Sequence, residues 1–85
     1  GVTLKHIAAV AQELQMSFRG VQAPLASLGQ LRLPAILHWD MNHFVVLTQV
    51  AGNSITVHDP AVGRRVMQQD EASRHYTGVA MELQP

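Results

Sequence analysis

His43-Phe44-Val45-Val46-Leu47-Thr48-Gln49-Val50, then Ala51-Gly52-Asn53, then Ser54-Ile55-Thr56-Val57-His58-Asp59, is the stretch on which the fold turns. The first run is β-branched, aromatic and apolar on both faces, the pattern of a central strand covered on two sides. Ser54 to His58 alternates, with Ile55 and Val57 inward and Ser54, Thr56 and His58 outward. Ala51-Gly52-Asn53 is a turn, so the two runs form a hairpin whose loop length sets the register. A three-residue loop, with Asn53 in the left-handed conformation it tolerates, puts Val50 opposite Ser54 and Val45 opposite Asp59. His43 then shares the face of Asp59 one diagonal step away, about 7–8 Å at Cβ. A two-residue loop places Asp59 on the opposite face.

On the N-terminal side of this hairpin, Pro34-Ala35-Ile36-Leu37-His38-Trp39 is a second run apolar on both faces, expected to pair with the His43 strand across an Asp40-Met41-Asn42 loop. Asp59-Pro60 and Gly63 break the chain after His58, Arg64 to Met67 resumes the strand, and Gln69 to His75 forms a short helix. Thr77 to Leu83 alternates and closes the sheet. Towards the start, Leu4, Ile7, Ala8, Ala11 and Leu14 recur at helical spacing with Thr3 placed as N-cap, which predicts a helix over about 3–15 and gives it an apolar stripe for the core. Met16 to Gln22 is expected as a short strand, and Pro24 opens a short helix ending near Gly29. The fold class is α+β, an N-terminal helix followed by an antiparallel β-sheet over about 33–83, in one unit over residues 1–85.

Composition narrows what such a unit does. Eighty-five residues hold one core at most. The charged content of 14% is low enough to suggest that some surface meets a partner. With six basic and six acidic residues and no basic run, the electrostatic attraction on which nucleic-acid binding depends is missing. No apolar stretch approaches the roughly 20 residues of a membrane-spanning helix. Gly1-Val2-Thr3-Leu4-Lys5 is no secretory signal and reads like a chain entered partway through. There is no cysteine, so these residues offer no disulfide, no thiolate metal site and no thiol nucleophile.

His43 and Asp59 form the pair that suits chemistry. An imidazole takes the proton from a nucleophile, and a carboxylate on its other nitrogen fixes the tautomer and stabilises the imidazolium. Asp59 shares parity with the inward Ile55 and Val57, which makes it a better orienter than the outward His58. The same residues also read as a hydrogen-bonded strand-end histidine and an Asp-Pro that starts a turn, and spacing alone leaves both readings open. Trp39 either shields this pair from water or fills core volume. His38, His43, His58 and Asp59 carry donors that suit zinc, but the outward His58 and the lack of a tight ligand motif argue against a metal, and no cofactor is expected. Arg64 and Arg65 read as a solvated pair rather than a docking point for an acidic partner.

Four sequence words occur together and in order: Leu33-Pro34-Ala35-Ile36-Leu37-His38-Trp39, Asn42-His43-Phe44-Val45-Val46-Leu47, His58-Asp59-Pro60-Ala61-x-Gly63 and Thr77-Gly78-Val79-Ala80-Met81-Glu82-Leu83. Together they resemble the bacteriocin-processing cysteine peptidase domain, colicin V type, of peptidase-containing ABC exporters. The likeness reaches back to Gly1-x-Thr3-Leu4 and covers essentially the whole chain, which corresponds to the C-terminal part of that domain. It implies a papain-like fold and a site built from a cysteine at the start of an N-terminal helix, a glutamine just before it for the oxyanion, a histidine in the N-H-F-V-V-L strand and an aspartate in the D-P motif. The last two fall on His43 and Asp59; the cysteine and glutamine have no counterpart in these residues. Gln15 stands where the family often has a helix-ending glycine.

The same resemblance implies a place on the cytoplasmic side of the bacterial inner membrane. Its implied partners are the transmembrane and ATP-binding domains of a transporter and the double-glycine leader peptide of an exported precursor. The chain alone is expected to be inactive, and either to self-associate or to pack loosely, because a surface that N-terminal helices would cover is left exposed. A non-catalytic docking domain that holds the export substrate is the alternative.

Overall fold

The computed structural model describes residues 17–84, together with Ala9, Gln12 and Glu13, which are helical. Apart from those three positions, the helix expected over about 3–15 lies outside the described residues. From Ser17 onward the chain is mostly sheet: β1 (Ser17–Gln22), a 3-10 helix (Leu25–Gln30), β2 (Ala35–Trp39), β3 (His43–Ala51), β4 (Ser54–Asp59), β5 (Gly63–Gln68), a one-turn helix (Gln69–Ala72) and β6 (Tyr76–Gln84). The six strands form one sheet in the order β1-β6-β2-β3-β4-β5, every neighbouring pair antiparallel. The expected sheet over about 33–83, with helices before it, is therefore corrected: the strand expected over Met16 to Gln22 is β1, and it forms one edge of the sheet. β6 is inserted between β1 and β2, with Phe18 opposite Leu83 and Leu37 opposite Ala80.

The core lies on one face of this sheet. Leu37, Trp39, Val45, Leu47, Ile55, Val57, Met67 and Ala80 pack there beneath Leu28 of the 3-10 helix and Ala72 of the one-turn helix. β2 is buried on both faces at Ala35, Ile36 and Leu37, as its composition predicts. β3 differs from expectation: Val45 and Leu47 are buried, while Val46 is 36% exposed and Thr48 is exposed. An apolar run records what a strand could bury, not what lies over it.

The β3–β4 hairpin corrects the expected register and also recovers it. Its loop is Gly52-Asn53, two residues, with Ala51 opposite Ser54 and Val50 opposite Ile55. Gly52 takes the positive φ, 59°, at the first central position, as in a type II′ turn, and Asn53 does not. By parity alone this loop sends Asp59 to the wrong face. A bulge at Thr48 reverses the parity again, for Gln49 pairs with Thr56 while Leu47 pairs with Val57. The cause lies in packing: Leu47 is buried and Val50 packs against the same core, three positions apart, and a regular strand turns such positions to opposite faces. The Thr48 hydroxyl donates to the Thr56 carbonyl across the bulge at 3.4 Å.

Candidate active site

β3 begins at His43 and β4 ends at Asp59, so the strand pair brings its two ends to one corner of the core face. Val46 is opposite His58, and one further step of that register places Val45 opposite Asp59. His43 lies diagonally across on the same face. Its Nε2–H donates to Asp59 Oδ1 at 2.7 Å, with 23% of the imidazole and 12% of the carboxylate side chain exposed. An ionised carboxylate only accepts, so this bond puts the proton of neutral His43 on Nε2. Nδ1 then carries a lone pair, and among the described residues no hydrogen bond engages it.

Asp59 is held from two sides. Its Oδ1 also accepts the Ala61 N–H at 2.8 Å, which caps the turn through Pro60 and lets Gly63, at φ 89°, start β5. Burial works to raise the Asp59 pKa. The Ala61 N–H, the bond to His43, the charge of His43 and that of Arg65 together outweigh burial and hold the carboxyl below its ordinary value. The carboxylate is thus kept ionised beside an imidazole that it orients and whose positive charge it can balance.

The other sequence candidates separate by face. His38 points away from the core, where its Nδ1 bonds Thr77 Oγ1 at 2.7 Å and its ring meets Phe44 at 5.1 Å. His58 is exposed on that same outer face. The four groups considered as zinc donors therefore do not converge. Arg65 pairs with Glu71 at 3.2 Å on the surface, and Arg64 is exposed opposite His58. Trp39 is 2% exposed, belongs to the core and lies directly opposite His43.

One grouping has no signal in the sequence. His75 stacks on Trp39, with ring centroids 5.3 Å apart and planes 8° from parallel, and its Nδ1–H donates to Asp40 Oδ1 at 2.8 Å. Asp40 and His75 are 35 residues apart and meet only because β6 lies beside β2.

The chain matches a double glycine motif protease from an AMS/PCAT transporter, crystallised in complex with the leader peptide, at a TM-score of 0.86 and 28% identity, covering 100% of this chain and 61% of that one. It matches the peptidase domain of Streptococcus mutans ComA, in complex with a small-molecule inhibitor, at a TM-score of 0.82 and 26% identity, over 100% of this chain and 76% of that one. The fold is thus the papain-like fold of these peptidases. The profile of the Peptidase C39 family matches residues 1–85, and the chain belongs to that family.

Among curated proteins, it is 46% identical over 85 residues to two from Escherichia coli, the probable microcin-H47 secretion/processing ATP-binding protein MchF and the colicin V secretion/processing ATP-binding protein CvaB. The alignment covers 100% of this chain but only 12% of each of those proteins.

Proposed function

We propose that this chain supplies the general base, His43, and its orienting carboxylate, Asp59, to a cysteine peptidase that cuts after the double-glycine leader of an exported bacteriocin or toxin precursor. The observation that carries this reading is the 2.7 Å bond from His43 Nε2 to Asp59 Oδ1, which leaves Nδ1 as the basic nitrogen. In this reading the thiol comes from a cysteine outside these residues, since the 85 contain none. Nδ1 takes the thiol proton, the thiolate attacks the carbonyl carbon of the second glycine, and Asp59 stabilises the imidazolium so formed. The imidazolium then returns the proton to the departing amine, leaving an acyl-thioester. Water, deprotonated by the same Nδ1, hydrolyses it and frees the thiol.

In this proposal the chain is the C-terminal part of a peptidase domain on the cytoplasmic side of the membrane, joined to the transmembrane and ATP-binding domains of an ABC exporter; its likeness to two secretion/processing ATP-binding proteins supports that setting. The missing cysteine motivates one rival, a docking domain that binds the leader without cutting it.

The test is leader cleavage by the protein that carries this chain. His43→Ala is expected to lower the rate by about 10²–10⁴-fold, the usual worth of a positioned acid–base group, while leader binding changes little. Unchanged cleavage in His43→Ala would remove the base from the mechanism, and leader binding without any cleavage in the wild type would favour docking.

A further inference from the structure

We infer that Asp40 and His75 are positioning residues for His43, acting through Trp39 and the tight turn that leads into β3. This rests on the peptidase reading above. What these two residues hold is the turn. The Asp40 N–H donates to the His75 carbonyl and the His75 Nδ1–H donates to Asp40 Oδ1, each at 2.8 Å, a two-point tether between that turn and the start of β6. The ring of His75 lies flat on Trp39, and Trp39 is the cross-strand partner of His43.

Two features indicate that the turn depends on this tether. Asp40 and Met41 take φ of 52° and 68°, the left-handed region that side chains other than glycine occupy at a cost. Such a turn persists where its surroundings over-determine it, and here the external contacts fall on Asp40, three positions before His43. The second feature is the irregular pairing of β6 with β2. Leu37 is opposite Ala80, so a regular ladder would set Gly78 opposite Trp39; the register shifts instead and sets Tyr76 there. Gly78, at φ 97°, lies within that shift. The irregularity delivers His75 onto the indole, as bulges beside functional sites re-aim side chains.

The side chains of His75 and Asp40 are 31% and 51% exposed, so the pair contributes little buried surface and its removal should spare the fold. A base displaced by a fraction of an ångström loses far more rate than the fold loses stability. In the protein that carries this chain, Asp40→Ala and His75→Ala are expected to lower kcat for leader cleavage about tenfold or more, with KM changed by less than about twofold. The double variant should be no worse than the worse single. Asp40→Asn keeps an acceptor for the Nδ1–H and should retain most of the rate.

The readout independent of activity is the imidazole NMR signal of His43, whose Nε2–H resonance, bonded to Asp59, should broaden or vanish in both alanine variants and persist in Asp40→Asn. If the wild type proves not to cleave, the proposed function falls while this signal still decides the positioning role. Should His75→Ala fail to fold, His75→Gln, which can reach Asp40 without stacking on Trp39, and Asp40→Ala make the same comparison. Wild-type kcat together with an intact His43 signal in the alanine variants would overturn the inference, as would an Asp40→Asn variant as impaired as Asp40→Ala.

Discussion

Asp59 does two structural jobs with one oxygen, accepting from His43 Nε2 and from the Ala61 N–H. Both bonds favour the ionised form, and the folded pKa lies below the ordinary carboxylate value. The stabilisation from this group is therefore present above the unfolded carboxylate range, about 3.9, and is lost as pH falls through the depressed folded value. The expected outcome is that wild type exceeds Asp59→Asn in denaturant midpoint at about pH 6 and that the gap narrows below about pH 4. A gap that stays constant to about pH 3 would mean that the charge on Asp59 contributes nothing to the fold. Tyr76 shows the opposite case: burial raises its pKa, and its hydroxyl donates to the Ala23 carbonyl at 2.7 Å, tying the start of β6 to the end of β1.

Within the β3–β4 hairpin, the extra residue does more than the loop. Thr48 is the unpaired position between Gln49 opposite Thr56 and Leu47 opposite Val57. Deleting Thr48 should leave those pairs unchanged in a now regular ladder, so the bond from His43 to Asp59 is expected to survive. The local cost should be about 1 kcal/mol from the lost hydroxyl bond to Thr56, with less strand twist. The His43 Nε2–H resonance reports the outcome: its loss on deletion would show that the bend made by the bulge, rather than the register, brings imidazole and carboxylate together.

Taken together, the described residues form a sheet with its core on one face and an outer face on which Val46, Val66 and Val79 are exposed. The 85-residue chain by itself should not cleave a double-glycine peptide, because it contains no thiol. Incubation with such a peptide and mass analysis of the products checks this; cleavage after the glycine pair that disappears on His43→Ala would mean that another group serves as nucleophile.

Local chemistry in the sequence determined the strands and turns: β-branched alternation marked β4 and β6, turn residues marked Asp40-Met41-Asn42 and Ala51-Gly52-Asn53, and Pro24 marked the start of the 3-10 helix. The words around His43 and Asp59 also named the family, because their residue types and order are specific where spacing alone is not. Register, by contrast, was decided only by packing. The sequence reading reached Val45 opposite Asp59 through a three-residue loop that does not exist, and the correct pairing comes from a two-residue loop and a bulge that cancel in parity. No local signal reveals that bulge, since it exists to turn both Leu47 and Val50 toward a core assembled from other strands. The contact of Asp40 with His75 was invisible for the same reason. It requires β6 to lie beside β2, and that adjacency is a property of the folded sheet, in which long-range burial overrides order along the chain.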